Sequence, residues 1–264
     1  MPPDPPDYAL LDRSGVGGAM FYPRANDAAP PPGATDYAIP VEPGVVIGAR
    51  FYLADPAWPT LLYFHGNGEV ASDHDGIAPL YRAIGLNLFV AEFRGYGEST
   101  GTPTLAALVA DAHPVAAFFH ATLDAAGCAP VRFVMGRSLG AHPTLELAAN
   151  AAGRFRGAII ESGTGGLRRM LERLGLLDTE LGGRLAAAHE AKIASIRLPT
   201  LLIHGEYDEL VPLSTALALR DSLSGTASSL VVIPGAGHND ILWVGREQYF
   251  RAIAAFCRES GAGS

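Results

Sequence analysis

Short apolar runs alternate with longer stretches of helical periodicity along most of this chain. Runs rich in β-branched and aromatic residues fall at 45–53, 60–65, 86–92, 131–136, 156–161, 199–204 and 229–234 and read as strands. Between them, apolar residues recur at helical spacing over about 74–84, 103–126, 139–151, 213–223 and 243–259. Strands that alternate with helices predict an α/β fold, with a mostly parallel central sheet covered by helices on both faces. The first strands precede any helix, so no crossover makes them parallel. They are expected to form an antiparallel edge.

Two segments break this rhythm. Residues 1–36 are rich in Pro, Ala, Gly and Asp and read as an N-terminal extension, with the domain running from 37 to 264. Within the extension Ala28–Gly33 reads as loop, whereas Ala19-Met20-Phe21-Tyr22-Pro23 could dock on the domain. The second segment, 163–196, lies between two strands and holds two short helical pieces, with Gly165-Gly166 and Gly182-Gly183 as breaks. It reads as a small lid insertion. Leu167, Met170, Leu171, Leu174, Leu176 and Leu177 are close to helical spacing. Such a face can pack on the body, roof a substrate, or do both.

Composition then excludes several classes. The length of 264 residues fits one large α/β domain with a sizeable core. A net charge of −8, with no Lys/Arg cluster, predicts no nucleic-acid partner. Cys128 and Cys257 are too few and too far apart for a disulfide framework or a zinc site. No apolar run is expected to span a membrane, and MPPDPPDYALLDRSG lacks the basic start and apolar stretch of a signal peptide. A soluble, cytoplasmic protein is the expectation; the oligomeric state is not legible.

The chemistry sits at the ends of three strands. VRFVM leads into Gly136-Arg137-Ser138-Leu139-Gly140, TLLIH into Gly205-Glu206-Tyr207-Asp208, and SLVVI into Gly235-Ala236-Gly237-His238. A serine hydroxyl is a weak nucleophile at neutral pH and needs a base within hydrogen-bond reach. His238 is the candidate base, and Asp208 the acid that fixes its tautomer. Nucleophile, then acid, then base is the chain order of the α/β-hydrolase fold. A second match to G-x-S-x-G, Gly97-Glu98-Ser99-Thr100-Gly101, lies in a loop too long for a strand-to-helix elbow, so Ser138 is preferred. His65, His74, His113, His120, His142, His189 and His204 take structural readings. Glu161, Glu206, Glu209 and Asp240 are weaker candidates for the acid, and Asn239 and Asp240 read as a helix cap before Leu242. An oxyanion hole needs two preset donors. The backbone N–H groups of Leu139, after the nucleophile, and Asn67, in His65-Gly66-Asn67-Gly68, are the candidates, with His65 anchoring the loop.

Taken together, HGNG, FRGYGES, GRSLG, HGEYDELVP and GAGHND resemble the motifs of α/β-hydrolase superfamily serine hydrolases from about Tyr37 to Phe256. The branch they are similar to includes protein S-depalmitoylases and uncharacterised bacterial esterase-like hydrolases. The resemblance implies cleavage of an ester, thioester or similar acyl bond through an acyl-Ser138 intermediate. A small acyl molecule and water would be the substrates, with no metal or organic cofactor. The chain departs from the branch at HGNGEV, where HGNAGN is frequent, and at Ala141, where a second glycine often follows the elbow. The start MPPDPPDY is not expected to carry the lipid of membrane depalmitoylases. In the FRGYGES loop, Arg94 is expected to make a local salt bridge rather than to meet the substrate.

Other readings stay open at this point. The same residues would serve a peptidase-like amide hydrolase, or be retained in a non-catalytic binding module on the same fold. Gly66-x-Gly68-x-x-Ala71, with Glu92 ending the next strand, also satisfies the pattern of a dinucleotide-binding oxidoreductase. However, EVASDHDG does not open a helix promptly, which leaves a pyrophosphate without a helix N-terminus.

Overall fold

Side chains along each central strand divide between two cores, and this division is what places helices on both faces of the sheet. In the computed structural model, which describes residues 5–13, 20–26, 28–223 and 225–262, Leu62 and Phe64 enter one core while Leu61 and Tyr63 enter the other. Phe89 opposes Leu88 and Val90 in the same way, and Leu202 opposes Leu201 and Ile203. A strand buried on both faces reads as an unbroken apolar run rather than an alternating one.

Eight strands form one sheet: β1 Ala34–Glu42, β2 Val45–Tyr52, β3 Thr60–Phe64, β4 Asn87–Ala91, β5 Arg132–Arg137, β6 Gly157–Glu161, β7 Thr200–Gly205 and β8 Ser228–Ile233. Their order is β1-β2-β4-β3-β5-β6-β7-β8. β2 pairs antiparallel with both β1 and β4, and every other pairing is parallel. The expected antiparallel edge is present, but with an additional strand. Residues 34–42 were not anticipated as a strand. Pro40 lies within it, at a register shift between Pro40 and Glu42, and such a residue is tolerated only at a sheet edge or bulge.

The helices named here are α1 Ala9–Arg13, α2 Ala78–Ala83, α3 Leu105–Ala110, α4 Ala112–Ala125, α5 Ala141–Asn150, α6 Arg168–Arg173, α7 Glu180–Ala194, α8 Leu213–Ser222, α9 Ile241–Val244 and α10 Arg246–Gly261. The single helix expected over 103–126 is two, divided at Asp111, whose carboxylate is taken by Arg94 at 2.7 and 2.8 Å. By length and composition, Leu105–Ala125 is long and apolar enough to cross a membrane, contrary to the reading of the sequence. Half of it is buried, and Leu105, Val115, Phe119 and Leu123 sit in the core.

Part of the N-terminal extension is integral to the domain. Tyr8 and Leu11 are buried, and the Asp12 carboxylate accepts from the Leu105 and Ala106 N–H groups at 2.8 and 3.1 Å. An anion on these orphan donors caps α3 from ninety residues away. Phe21 is buried as the docking expectation requires; Ala19 lies outside the described residues.

The segment 163–196 holds α6 and α7. Gly182-Gly183 does not break a helix but lies in the first turn of α7, capped by Thr179 Oγ1 on Gly182 N–H at 3.0 Å. A Cβ at Gly182 would lie 1.9 Å from the Leu176 carbonyl oxygen, so the glycine permits a close approach. Leu167 and Leu171 of the α6 region are buried, whereas Met170 and Leu174 line a cavity. One helix therefore packs with one side and roofs a space with the other.

Candidate active site

Ser138 sits at the junction of β5 and α5 with φ +50°, a left-handed conformation that is rare for a residue with a side chain. The flanking glycines make this turn possible. A Cβ at Gly136 would lie 2.0 Å from the Gly140 carbonyl oxygen, and one at Gly140 would lie 2.1 Å from that of Phe64. The strand thus turns straight into the helix, and that helix start is pressed against the end of β3.

The turn presents the serine to an imidazole. His238 Nε2 lies 3.0 Å from Ser138 Oγ, and His238 Nδ1 lies 2.7 Å from Asp208 Oδ2. A carboxylate can only accept, so Nδ1 carries the proton and donates to Asp208, leaving the Nε2 lone pair for the serine hydroxyl. The other oxygen of Asp208 accepts from the Leu210 and Val211 N–H groups at 3.0 and 2.7 Å. Both Asp208 and His238 are buried. An imidazole so placed can take the hydroxyl proton, and the buried carboxylate can stabilise the cation that results.

The loop after β3 lies beside this chain of bonds. His65 Nδ1–H donates to the Gly66 carbonyl at 2.7 Å, and Nε2 has no partner among the described residues. Burial pushes this imidazole down to about 4, so it holds the loop as a neutral group. Among the described residues no group accepts from the Asn67 backbone N–H. The Leu139 N–H opens the short 3₁₀ turn Ser138–Gly140 and is one of the donors a helix start leaves free. The Asn67 side chain has other work: its Oδ1 accepts from Tyr22 N–H at 3.0 Å and Tyr96 O–H at 2.6 Å, and its Nδ2 donates to the Met20 carbonyl at 2.7 Å. It ties the N-terminal segment to the site.

Arg137 is the residue that sequence reasoning missed. Its guanidinium is mostly buried and bonds to Glu69, to Glu161 at 3.2 Å, to the His238 carbonyl at 2.9 Å and to Asn239 Oδ1 at 2.9 Å. Glu69 in turn accepts from Gly66 N–H at 2.8 Å, and Glu161 from Tyr249 O–H at 2.7 Å. Arg137 therefore joins the loop of Asn67, the loop of His238 and the end of β6. Burial raises the Glu69 carboxyl, but Arg137 with the nearby histidines and the Gly66 N–H outweighs it, so the net direction is down. Burial dominates for Glu161 and raises it despite Arg137. Glu69, at the position where HGNGEV departs from HGNAGN, is thus a bracket of the loop. Glu161 is not among the bonding partners of the His238 imidazole, which are Asp208 and Ser138.

The remaining candidates fall elsewhere. Ser99 Oγ accepts from Gly48 N–H at 2.8 Å and stitches its loop to β2. His142 is buried, which lowers its imidazole to about 3. His204 is the exception: its Nε2 is bonded to the Val211 carbonyl at 2.7 Å and lies 3.4 Å from Asp208 Oδ2, so it sits behind the carboxylate and not on the serine. Asp240 occupies the position before α9, but its Oδ1 turns back to Gly237 N–H at 2.6 Å instead of capping the helix. Arg94 pairs with Asp111 and with Glu42 at 2.7 Å, as a structural reading of its loop requires. Glu92 is buried and accepts from Ala71 and Glu98 N–H at 2.9 and 3.0 Å. A Cβ at Gly97 would lie 1.7 Å from that carboxylate, so this glycine of the FRGYGES loop makes room for Glu92. With its carboxylate turned inward, and a 3₁₀ turn at Ala71–His74 in place of a prompt α-helix, the dinucleotide pattern lacks its structural context.

A cavity of about 620 Å³ opens beside the site. Met20, Met170, Leu174, Ile193, Val211 and Leu219 supply apolar lining. Ser138, Asp208 and His238 do not themselves line it, but three of its lining residues adjoin them: the Met20 carbonyl accepts from Asn67, the Val211 N–H donates to Asp208, and Thr164 follows Gly163, where a Cβ would lie 3.7 Å from the Ser138 carbonyl oxygen.

No protein-family model matches the chain. The protein Bem46 of Schizosaccharomyces pombe is 29% identical over 208 residues, which cover 76% of this chain and 68% of that protein. The α/β hydrolase domain-containing protein 17B of Homo sapiens is 31% identical over 270 aligned residues, covering 97% of this chain and 88% of that protein. Among solved structures, the Pyrococcus furiosus esterase Pf2001 superposes with a TM-score of 0.70 over 90% of this chain and 98% of its own, at 18% identity, which is a likeness of fold.

Proposed function

This chain is a hydrolase of the α/β-hydrolase family, and from that premise we propose that it cleaves an ester, thioester or similar acyl bond through an acyl-Ser138 intermediate. The observation that carries the reading is the continuous set of bonds from Ser138 Oγ to His238 Nε2, 3.0 Å, and from His238 Nδ1 to Asp208, 2.7 Å.

The steps follow from these atoms. Ser138 Oγ attacks the substrate carbonyl carbon while its proton passes to His238 Nε2. Asp208 keeps the imidazole in the tautomer that can receive it and stabilises the imidazolium. Negative charge develops on the carbonyl oxygen, and the Asn67 and Leu139 N–H groups are the donors assigned to it. The carbon–heteroatom bond then breaks, and His238 returns the proton to the leaving group. Water repeats the sequence on the acyl-serine: His238 takes its proton, the carboxylic acid departs, and Ser138 O–H is restored. The apolar cavity takes the acyl chain.

Hydrolysis of p-nitrophenyl esters from acetate to palmitate tests the proposal. The wild type turns over at least one ester, and Ser138→Ala lowers kcat by at least about 10⁴-fold with the fold intact. Ser99→Ala retains most of the activity. Equal rates in wild type and Ser138→Ala would overturn the assignment.

A further inference from the structure

The lid helix α6 presents the cavity with two kinds of side chain. Met170 and Leu174, four residues apart, form an apolar pair on it, and Arg169 and Arg173, also four apart, form a cationic one. All four line the same cavity. Side chains at this spacing are neighbours on a helix surface, and like charges so placed oppose each other. Arg168, the third arginine of the lining, is held by Glu190 through bonds of 2.5 and 3.1 Å. Among the described residues, no carboxylate lies within ion-pair distance of Arg169 or Arg173. Most other arginines of this acidic chain, net charge −8, have such a partner. Both unpaired guanidinium groups are exposed, so they mark the mouth of the cavity, while Met20, Ile193 and Leu219 lie further round its apolar lining.

We infer that the cavity takes an amphiphilic acyl substrate whose leaving group is anionic, with Arg169 and Arg173 binding that anion. Two guanidinium forks match the oxygens of a phosphate or a carboxylate and hold it through charge-assisted bonds. The acyl chain then lies in the apolar chamber, the scissile carbonyl reaches Ser138 past Thr164 and Val211, and the leaving group departs by the mouth. Occupation also relieves the repulsion between the two arginines, since Glu190, the carboxylate of the same lining, is held by Arg168. This inference rests on Ser138 as the nucleophile for its chemistry, but the anion site itself can be read without turnover.

The test therefore has two arms. In the first, hydrolysis of hexanoyl-coenzyme A, which bears phosphates, is compared with that of the neutral hexanoyl thioester of N-acetylcysteamine. The wild type is expected to prefer the anionic thioester by about tenfold or more in kcat/KM. The double variant Arg169→Gln/Arg173→Gln loses that preference while keeping its rate on the neutral thioester within about twofold. In the second arm, binding of octyl phosphate, nonanoate and octanol to Ser138→Ala protein is measured by calorimetry. The two anions bind at least about tenfold tighter than octanol, and only their binding weakens when Arg169 and Arg173 are also replaced by Gln. The better of the two anions identifies phosphate or carboxylate as the preferred group. Equal binding of all three, or equal loss on both thioesters in the double variant, would overturn the inference. Tight, arginine-dependent octyl phosphate binding with no turnover of either thioester would leave the anion site standing and count against Ser138 instead.

Discussion

The guanidinium of Arg137 donates to the carbonyl oxygen of His238 at 2.9 Å, so the residue that precedes Ser138 on β5 holds the loop that carries the imidazole. The same guanidinium holds Glu69, which accepts from the Gly66 N–H beside Asn67. The two loops that must meet Ser138 are thereby referenced to the strand that delivers it. Reactions that depend on sub-ångström placement lose rate quickly when such a reference is removed.

Arg137→Lys keeps the charge but not the planar fork, and it cannot reach Glu69, Glu161 and the His238 carbonyl together. Its kcat is expected to fall about 10- to 100-fold, with KM changed less than about threefold and with phosphonate labelling slowed in parallel. Arg137→Met also leaves Glu161 buried without its cation and is expected to lose about 3–5 kcal/mol of stability, read from denaturant unfolding. Wild-type kinetics in Arg137→Lys would refute the positioning role.

Gly140→Ala tests the packing of the elbow. Its Cβ would lie 2.1 Å from the Phe64 and 2.9 Å from the His65 carbonyl oxygens, and backbone cannot yield as a side-chain tip can. A loss of about 3 kcal/mol or more is expected. Gly153→Ala, where nothing lies within 4 Å, is the matched control and should stay within about 1 kcal/mol of wild type. Similar melting temperatures for the two variants would contradict the geometry.

Stability is expected to fall with acid earlier than carboxylates alone would cause. Burial lowers the imidazoles of His65 and His189 to about 4 and that of His142 to about 3, from 6.5. Between those values the unfolded chain binds more protons than the folded one, so stability decreases as pH falls from about 6.5 to about 3 and is unaffected by these groups above that range. Burial opposes ionisation of Glu146, but His113 and Lys192 hold it down to about 2, so its contribution, complete above 4.5, is lost below that. Each fully buried histidine contributes a few kcal/mol to the total loss across the range. Thermal midpoints measured from about pH 7.5 to about pH 3 should drop across this range, and replacing His142 by Leu should flatten the upper part. A constant midpoint down to about pH 4.5 would contradict the burial argument.

Much of this arrangement was readable from the chain because the fold announces itself locally. Doubly buried strands such as Leu61–Phe64 are continuous apolar runs, and Ser138 and Asp208 each follow one, while His238 follows the apolar run of the part-buried edge strand β8. Residues 34–42 were harder, since an edge strand with Pro40 and a half-exposed face carries little periodic signal. Asp111 divides the helix over 103–126 through its bond to Arg94, a partner in another loop. The role of Arg137 was not legible at all: its partners are 68, 24 and 101 residues away, and no spacing rule joins them. Glu69 carried the one available signal, as a departure from the motif its neighbours otherwise resemble.

The most direct test of the central claim is covalent labelling of the folded protein with a serine-directed fluorophosphonate, followed by peptide mapping of the adduct. Stoichiometric modification of Ser138, lost in Ser138→Ala, strongly slowed in His238→Ala and retained in Ser99→Ala, is the predicted result. A folded protein that takes up no label, or takes it up on another serine, would contradict the assignment of Ser138 as the nucleophile.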